Sequence, residues 1–282
     1  MTLLKREEQP DGSVKFDNFK LLNVSWWKLR AVIYKSFVMI DMEVRKLSHD
    51  FTELLTRVIQ PVLWLTIFGQ AMSKARTIPT GKFTYLQFMT PGILAQSVVF
   101  IAIFYGISII WERDLGVLQK FLVTPTPRLA LVTGKMAAAG IRGISQAVIV
   151  IIVALLLRIQ LHLSVLGALG VILIIILGAG FFAGLSMIIA SIVKVRERFM
   201  GIGQLLTMPL FFASNAIYPI KIMPGWLQVI AGVNPLSYMV DALRSMILTN
   251  NFSQLLLDFV VMILATAIVA VIGSKQYPKV VI

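Results

Sequence analysis

Long apolar runs alternate with short polar segments along this chain, and each run has the length of a membrane-crossing helix. Six stretches are mostly apolar: 54–72, 88–110, 136–157, 163–193, 200–217 and 255–272. A bilayer core about 30 Å thick needs roughly 20 helical residues. The runs are continuous and do not alternate with a period of two, which favours helices over a β-barrel. The pattern predicts an all-α integral membrane protein with six transmembrane helices within residues 51–282.

The first 50 residues follow a different pattern. Residues 1–22 are charged and contain Pro10, Asp11 and Gly12, which predicts a flexible cytosolic tail. Residues 23–50 predict an amphipathic interfacial helix, because apolar side chains recur every three or four positions. That stripe consists of Trp26, Leu29, Ile33, Phe37, Ile40, Val44 and Leu47. A soluble helix packed on a partner protein is the alternative interpretation.

Composition and charge agree with a membrane protein. The chain is 58% hydrophobic and 14% charged, whereas about 25% of residues are charged in soluble proteins. A net charge of +13 would suit a nucleic-acid partner, but its distribution argues otherwise. With six spans, nineteen of the 26 Lys and Arg residues fall on the side of the two termini and six on the other. This asymmetry predicts the cytoplasmic (plasma) membrane, cytosolic termini, contact with membrane lipid and no nucleic acid.

Several kinds of chemistry are missing from the sequence. There is no cysteine, and His49 and His162 have no partner at metal-ligand spacing, so no metal site is expected. No phosphate-binding G-x-x-x-x-G-K-[ST] motif occurs, and no catalytic triad is evident. The spans carry no central acid, with Asp241 and Glu53 expected to be the nearest ones. Because a self-powered carrier usually needs such a group, the energy source is expected on another chain.

One dense polar segment, 111–135, separates the second and third runs, and it reads WERDLGVLQKFLVTPTPRLALVTGK. Acids, bases, glycines and two spaced prolines are concentrated there. This composition indicates a surface that a soluble partner binds, although a solvated connector with membrane-interface anchors would show some of the same features.

The polar region before the last run is broken by prolines, at Pro219, Pro224 and Pro235. Between them, the apolar stretch 226–233 is too short to cross a membrane and predicts a short re-entrant helix on the extracellular side. A further helix is predicted from Leu236. Asp241 and Arg244 are three residues apart on it, so they share a face and are expected to pair.

Two motifs resemble landmarks of the type-2 ATP-binding-cassette export permeases. The first is Glu112-Arg113-Asp114-x-Gly116-x-Leu118-x-x-Phe121-Leu122-x-Thr124-Pro125-x-Pro127-Arg128, ending in Gly134-Lys135. The second is Asn234-Pro235-Leu236-Ser237-Tyr238-x-x-Asp241-Ala242-Leu243-Arg244. The resemblance covers nearly the whole chain beyond residue 25 and is nearest to the daunorubicin-resistance and nodulation-type permeases. Asp114, Val117 and Gln119 depart from the residues usual in that family, which are glutamate, threonine and glutamate.

The resemblance implies a role for each motif. The first would form a cytosolic coupling helix seated in a groove of an ATPase subunit, with contacts made or supported by Glu112, Arg113, Asp114, Gly116, Leu118, Gln119 and Phe121. The second would belong to extracellular re-entrant helices before the last span, with gate candidates Asn234, Pro235, Tyr238, Asp241 and Arg244. A purely structural ion pair is the alternative role for Asp241 and Arg244.

The resemblance also implies an assembly. Two cytosolic ABC ATPase subunits would bind ATP and Mg, so no cofactor is expected in this chain, and a second permease protomer would complete a homo- or heterodimer. The exported substrate would be amphipathic, hydrophobic or lipid-linked, such as a drug, a glycolipid or a polysaccharide. Candidate lining residues of its pathway are Trp64, Phe68, Phe100, Phe104, Phe211 and Phe212, for which ordinary packing is the alternative. Two other functions remain open: a self-contained carrier or channel, and a non-transporting scaffold.

Overall fold

A computed structural model describes residues 51–75, 78–116, 128–193, 195–249 and 255–277, together with Asp41 and Arg45. Within these residues the protein is all-α and contains no strand, as the sequence predicts. The predicted tail 1–22 lies outside the described residues, and so does the predicted interfacial helix 23–50 apart from Asp41 and Arg45.

Ten α-helices are described, and they are numbered here in chain order. They are α1 Phe51–Leu63, α2 Gly69–Ala75, α3 Tyr85–Phe104, α4 Gly106–Asp114, α5 Arg128–Leu156, α6 Val165–Ile192, α7 Arg196–Phe212, α8 Gly225–Val233, α9 Pro235–Arg244 and α10 Leu255–Gln276. A π-helical turn, Trp64–Phe68, joins α1 to α2, and a second one, Ser245–Thr249, follows α9. A short 3₁₀ turn, Ile220–Ile222, precedes α8.

Four helical stretches of the described residues are long and apolar enough to cross a membrane. They are Tyr85–Asp114, Arg128–Leu156, Val165–Ile192 and Leu255–Gln276. These stretches contain the second and sixth predicted spans and coincide with most of the third and fourth. The first predicted span lies in α1, its π turn and α2, and the fifth coincides with most of α7, which has 17 residues with Pro209 inside it. A total of six spans therefore stays a prediction.

The core is built around α3. This helix begins at a capping box, in which the Thr84 side chain accepts from the Gln87 backbone N–H and the Gln87 side chain accepts from the Thr84 N–H. Helix α3 packs against α5, α6 and α9, and α10 packs against α6, α9 and α5. Most α3 side chains are buried inside the protein, whereas α5, α6 and α10 also present apolar side chains outward. Such outward apolar faces suit contact with lipid.

Two of the bundle's close approaches depend on glycine. Gly92 in α3 lies directly against the backbone at Ala216, where an added Cβ would be 2.7 Å from the Ala216 Cα. Gly106 at the start of α4 touches the hydroxyl of Ser186, which donates a hydrogen bond to the Ile103 carbonyl oxygen. At both positions the missing side chain lets α3–α4 pass a neighbouring segment at contact distance.

The two ends of the bundle differ in composition. At the end called here the charged end, the C-termini of α4, α6 and α10 meet the N-termini of α5 and α7. At the opposite end, the turn after α7 meets α3 and α9, because Tyr85 and Arg244 donate hydrogen bonds to the carbonyls of Ile217 and Asn215. The candidate functional residues within the described part of the chain lie at these two ends and in two groups of aromatic side chains.

Candidate functional site

A buried ion pair ties the charged end together. The Lys135 Nζ in α5 lies 2.6 Å from the Glu112 Oε2 in the last turn of α4. The two side chains are only 4% and 14% exposed, and the ammonium also lies 5.9 Å from the Tyr105 ring centroid. Apolar residues of α4, α5, α6 and α10 form the nearby core. Because a buried charge is costly without its partner, this pair fixes α4 against α5.

A second ionic contact joins α4 to α7. The Asp114 carboxylate accepts hydrogen bonds from Arg113, at 2.8 Å, and from Arg196, at 2.7 Å. The Arg196 guanidinium also lies 4.6 Å from the Trp111 ring centroid, within the range of a cation–π contact. Helix α4 is therefore connected to two other helices, α5 through Glu112 and α7 through Asp114.

Helix α4 ends with an exposed turn. Gly116 has a positive φ of 69°, a conformation that glycine adopts without steric cost. Leu115 is 72% exposed and Trp111 is 51% exposed. The turn thus presents apolar surface beside the ionic contacts, where the chain enters segment 117–127.

The predicted coupling residues divide into two groups. Glu112, Arg113, Asp114 and Gly116 lie together at the charged end, whereas Leu118, Gln119 and Phe121 lie outside the described residues. Sequence reasoning did not recognise Lys135 and Arg196 as the partners of Glu112 and Asp114. The available signal for Lys135 was its position directly before the apolar run 136–157. A lysine that is buried there requires a partner for its charge.

The predicted pathway aromatics form two groups. Trp64 contacts Phe68 and Phe211 at centroid distances of 5.1 Å and 5.5 Å, and Phe212 contacts Phe211 at 5.5 Å. The other pair, Phe100 and Phe104, lies at 4.4 Å. Phe211 is fully buried, but Phe212 is 45% exposed. Of these two neighbours, only Phe212 presents its ring on the protein surface.

At the opposite end, the predicted gate residues make local backbone contacts. Asn234 caps α9, accepting from the Leu236 N–H and donating to the Leu210 and Ala213 carbonyls. Pro235 follows at the first position of α9, where its missing N–H costs least. Tyr238 donates its hydroxyl to the Gly232 carbonyl, at 2.6 Å. These contacts fix α9 relative to α7 and α8.

The expected pair of Asp241 and Arg244 is present, with 3.3 Å between the guanidinium and the carboxylate. Arg244 also donates to the Asn215 carbonyl and stacks 4.0 Å from the Phe88 ring centroid, and Asn215 donates its amide to Asp241. Burial raises the pKa of Asp241, while Arg244 and the Asn215 amide act in the lowering direction. A gating role of this pair stays a prediction.

The expectation that Asp241 and Glu53 are the acids nearest the spans is wrong, because Asp258 lies inside the last apolar run. It occupies the first turn of α10 and is 3% exposed. The error arose because Asp258 stands near the start of the run, where an acid reads as part of the preceding loop. Among the described residues, no three His, Asp or Glu side chains gather at metal-binding distance.

Four long apolar helical stretches, with ionic side chains gathered at one end of the bundle, are typical of an integral membrane protein. The family model of the ABC-2 type transporter matches residues 34–248. This chain belongs to the ABC-2 type transporter family.

Several relatives carry permease names. A transport permease called ycf38 from Cyanophora paradoxa is 27% identical over 241 residues, covering 80% of this chain and 82% of the relative. The daunorubicin resistance ABC transporter permease protein DrrB1 of Streptomyces coeruleorubidus is 27% identical, covering 71% and 70%. The inner membrane transport permease YadH of Escherichia coli K12 is 24% identical, covering 86% and 91%. Membership of this family implies association with ABC ATPase subunits.

Proposed function

We propose that this chain is the permease subunit of an ATP-driven exporter, powered by two separate ATPase subunits that bind ATP and Mg. The observation that supports it best is the double attachment of α4, through Glu112 to α5 and through Asp114 to α7. A partner that pushed on the exposed turn at Leu115 would move three helices together. Such an attachment suits a subunit whose conformation another protein drives.

The proposed topology places the charged end in the cytosol. It has six spans, cytosolic termini and a location in the cytoplasmic membrane, in agreement with the excess of Lys and Arg on that side. The opposite end, with α8 and α9, then faces outward. A second copy, or a similar chain, completes the dimer, and segment 117–127 with Leu118, Gln119 and Phe121 contacts the ATPase.

The experiment that tests this function uses proteoliposomes containing the full chain and the proposed ABC ATPase partner. We expect ATP to drive uptake of a fluorescent amphipathic or lipid-linked probe into inside-out vesicles, and no uptake without the ATPase. Equal uptake by the permease alone would identify a carrier or channel. If the ATPase binds but ATP drives the uptake of no amphipathic or lipid-linked probe, the result would favour a scaffold.

The exposed turn supplies a specific test of coupling. Leu115→Ala removes an apolar side chain that is 72% exposed, so the fold is expected to keep its stability. If this leucine lies in the ATPase contact, truncating it weakens ATPase binding by about tenfold, a typical effect for a well-buried interface residue. Leu163→Ala, at a leucine that is 43% exposed near the opposite end, is the matched control. Equal ATPase affinity of the two variants would contradict the assignment.

The proposed substrate is amphipathic, hydrophobic or lipid-linked, and its path passes the aromatic cluster. Phe212 is partly exposed and Phe211 is buried. Variants of the two residues therefore distinguish a side chain that lines the substrate pathway from one that only packs in the core. Phe212→Ala is expected to change the relative transport rates of probes of different size while the thermal midpoint stays constant. Phe211→Ala is expected to lower stability by about 3–5 kcal/mol, because the ring is fully buried. Unchanged probe selectivity in Phe212→Ala would remove this residue from the pathway.

A further inference from the structure

A cavity at the opposite end contains two carboxylates that the proposed transport cycle does not use. Its volume is about 260 Å³. It lies between α8, α9 and the start of α10, and its lining is formed by Ile220, Ala231, Gly232, Ser237, Tyr238, Asp241, Leu257 and Asp258.

Two residues that line this cavity each carry a buried polar atom with no hydrogen-bond partner within the described part of the chain. The atoms are the Asp258 Oδ2 and the Ser237 Oγ, and both residues are only 3% exposed. A buried carboxylate oxygen without a partner is costly. Two such residues beside one cavity suit a ligand that donates hydrogen bonds.

The charges around the cavity indicate the sign of the charge on that ligand. Arg244 lies 3.3 Å from Asp241 and offsets its charge. Asp258 has no corresponding ion pair in the described residues and shares the cavity with Asp241. Two carboxylates and one guanidinium leave a net charge of −1 when all three are ionised. A ligand with a single positive charge would neutralise the site.

We propose that this cavity binds a primary ammonium group attached to a small apolar body. An ammonium has three N–H donors, which matches the Asp258 carboxylate, the Ser237 hydroxyl and the carboxylate of Asp241. Tyr238 also lines the cavity, where an aromatic ring can contribute to binding a cation, while its hydroxyl is already bonded to Gly232.

The remaining walls fit an organic cation better than a metal ion. Ile220, Ala231 and Leu257 give part of the cavity an apolar surface. Ca²⁺ needs six to eight oxygen ligands, and no group of three potential metal-binding side chains occurs in the described residues. An ammonium with a carbon skeleton uses both the acids and the apolar walls.

The ammonium has two possible sources, a soluble amphipathic amine and the headgroup of an ethanolamine phospholipid. The test measures binding to the full-length permease in nanodiscs by calorimetry, with empty nanodiscs subtracted. The probes are benzylammonium and its uncharged counterpart benzyl alcohol. No ATP or ATPase is present, so the result is independent of the proposed transport function.

Wild-type protein is expected to bind benzylammonium at least about tenfold more tightly than benzyl alcohol. Asp258→Asn should remove at least about tenfold of the benzylammonium affinity, since hydrogen bonds to charged groups contribute more than neutral ones. Glu197→Gln, the same chemical change at an exposed site at the charged end, should leave it unchanged. If Asp258→Asn does not fold, Ser237→Ala is expected to weaken binding about threefold.

The nanodisc lipid separates the two sources. If the natural ligand is the lipid headgroup, replacing phosphatidylcholine with phosphatidylethanolamine lowers the apparent benzylammonium affinity of wild-type protein. If it is a soluble amine, the affinity stays constant. Equal binding of benzyl alcohol and benzylammonium, or undiminished binding to folded Asp258→Asn and Ser237→Ala, would overturn the proposal. Displacement by Ca²⁺ or Mg²⁺ at lower concentrations than by the amine would also overturn it and indicate a metal site.

Discussion

Replacing Lys135 with methionine is expected to destabilise the permease by about 3–5 kcal/mol, the usual cost of removing one partner from a buried ion pair. The Glu112 carboxylate, 14% exposed, would remain without the ammonium at 2.6 Å. For a protein of this size the change corresponds to a fall of roughly 10 °C in the thermal midpoint. Under the proposed function, ATP-dependent transport should fall further, because α4 would lose its attachment to α5.

The size of this effect depends on burial, and two further variants test that. Lys221→Met, at an exposed lysine in the turn before α8, should leave the thermal midpoint within about 2 °C of wild type. Glu112→Gln combined with Lys135→Met should recover much of the loss, since neither side chain then carries a charge. Glu112→Gln alone completes the comparison. If the double variant lost as much stability as Glu112→Gln and Lys135→Met lose in sum, Lys135 would stabilise the fold through packing and not through its charge.

Replacing Gly92 with alanine is expected to destabilise the opposite end of the bundle, although alanine favours helices. The new Cβ would lie 2.7 Å from the Ala216 Cα and 2.8 Å from its carbonyl carbon. Both are backbone atoms, so no side-chain rotation relieves the overlap. Such overpacking costs about 1–3 kcal/mol or more, which outweighs the gain of about 0.5–1 kcal/mol from replacing a helical glycine.

The matched control for Gly92→Ala is Gly201→Ala in α7, where an added Cβ meets no atom within 4 Å. This variant should be as stable as wild type or slightly more stable. Folded yield and thermal midpoint in detergent provide the comparison. A Gly92→Ala protein with the yield and midpoint of Gly201→Ala would show that α3 is not in direct contact with the turn after α7.

Sequence reasoning predicted the four strongest membrane helices because their signal is local. Apolar runs such as 163–193 exceed the length needed to cross a bilayer, and no tertiary contact is required to recognise them. The short helix α8 was predicted for a similar reason, since prolines bound an apolar stretch that is too short to cross a membrane. The first and fifth runs contain polar residues and prolines such as Pro61 and Pro209, so composition alone does not distinguish a span from a partly buried helix.

Within the candidate sites, contacts distant in sequence were harder to predict than motifs. Asp241 and Arg244 are three residues apart, so their pairing follows from the helical repeat. Glu112 and Lys135 are separated by a polar segment, and Asp114 and Arg196 by two long helices. Nothing in the spacing of either pair specifies that their helix ends meet. Asp258 was missed because it stands at the start of an apolar run, and its place beside the cavity depends on contacts with α8 and α9 that its position in the sequence does not specify.

The π turn Trp64–Phe68 lies between α1 and α2, in the segment of the first predicted span. A π turn holds one residue more than a regular α-helical turn, because its hydrogen bonds join residues five apart and not four. Loss of one residue there would let the segment wind as regular α-helix while α1 and α2 keep nearly the same rotation about the helix axis. Relatives that are one residue shorter in this segment are therefore expected to lack the π turn and to keep both helices in place.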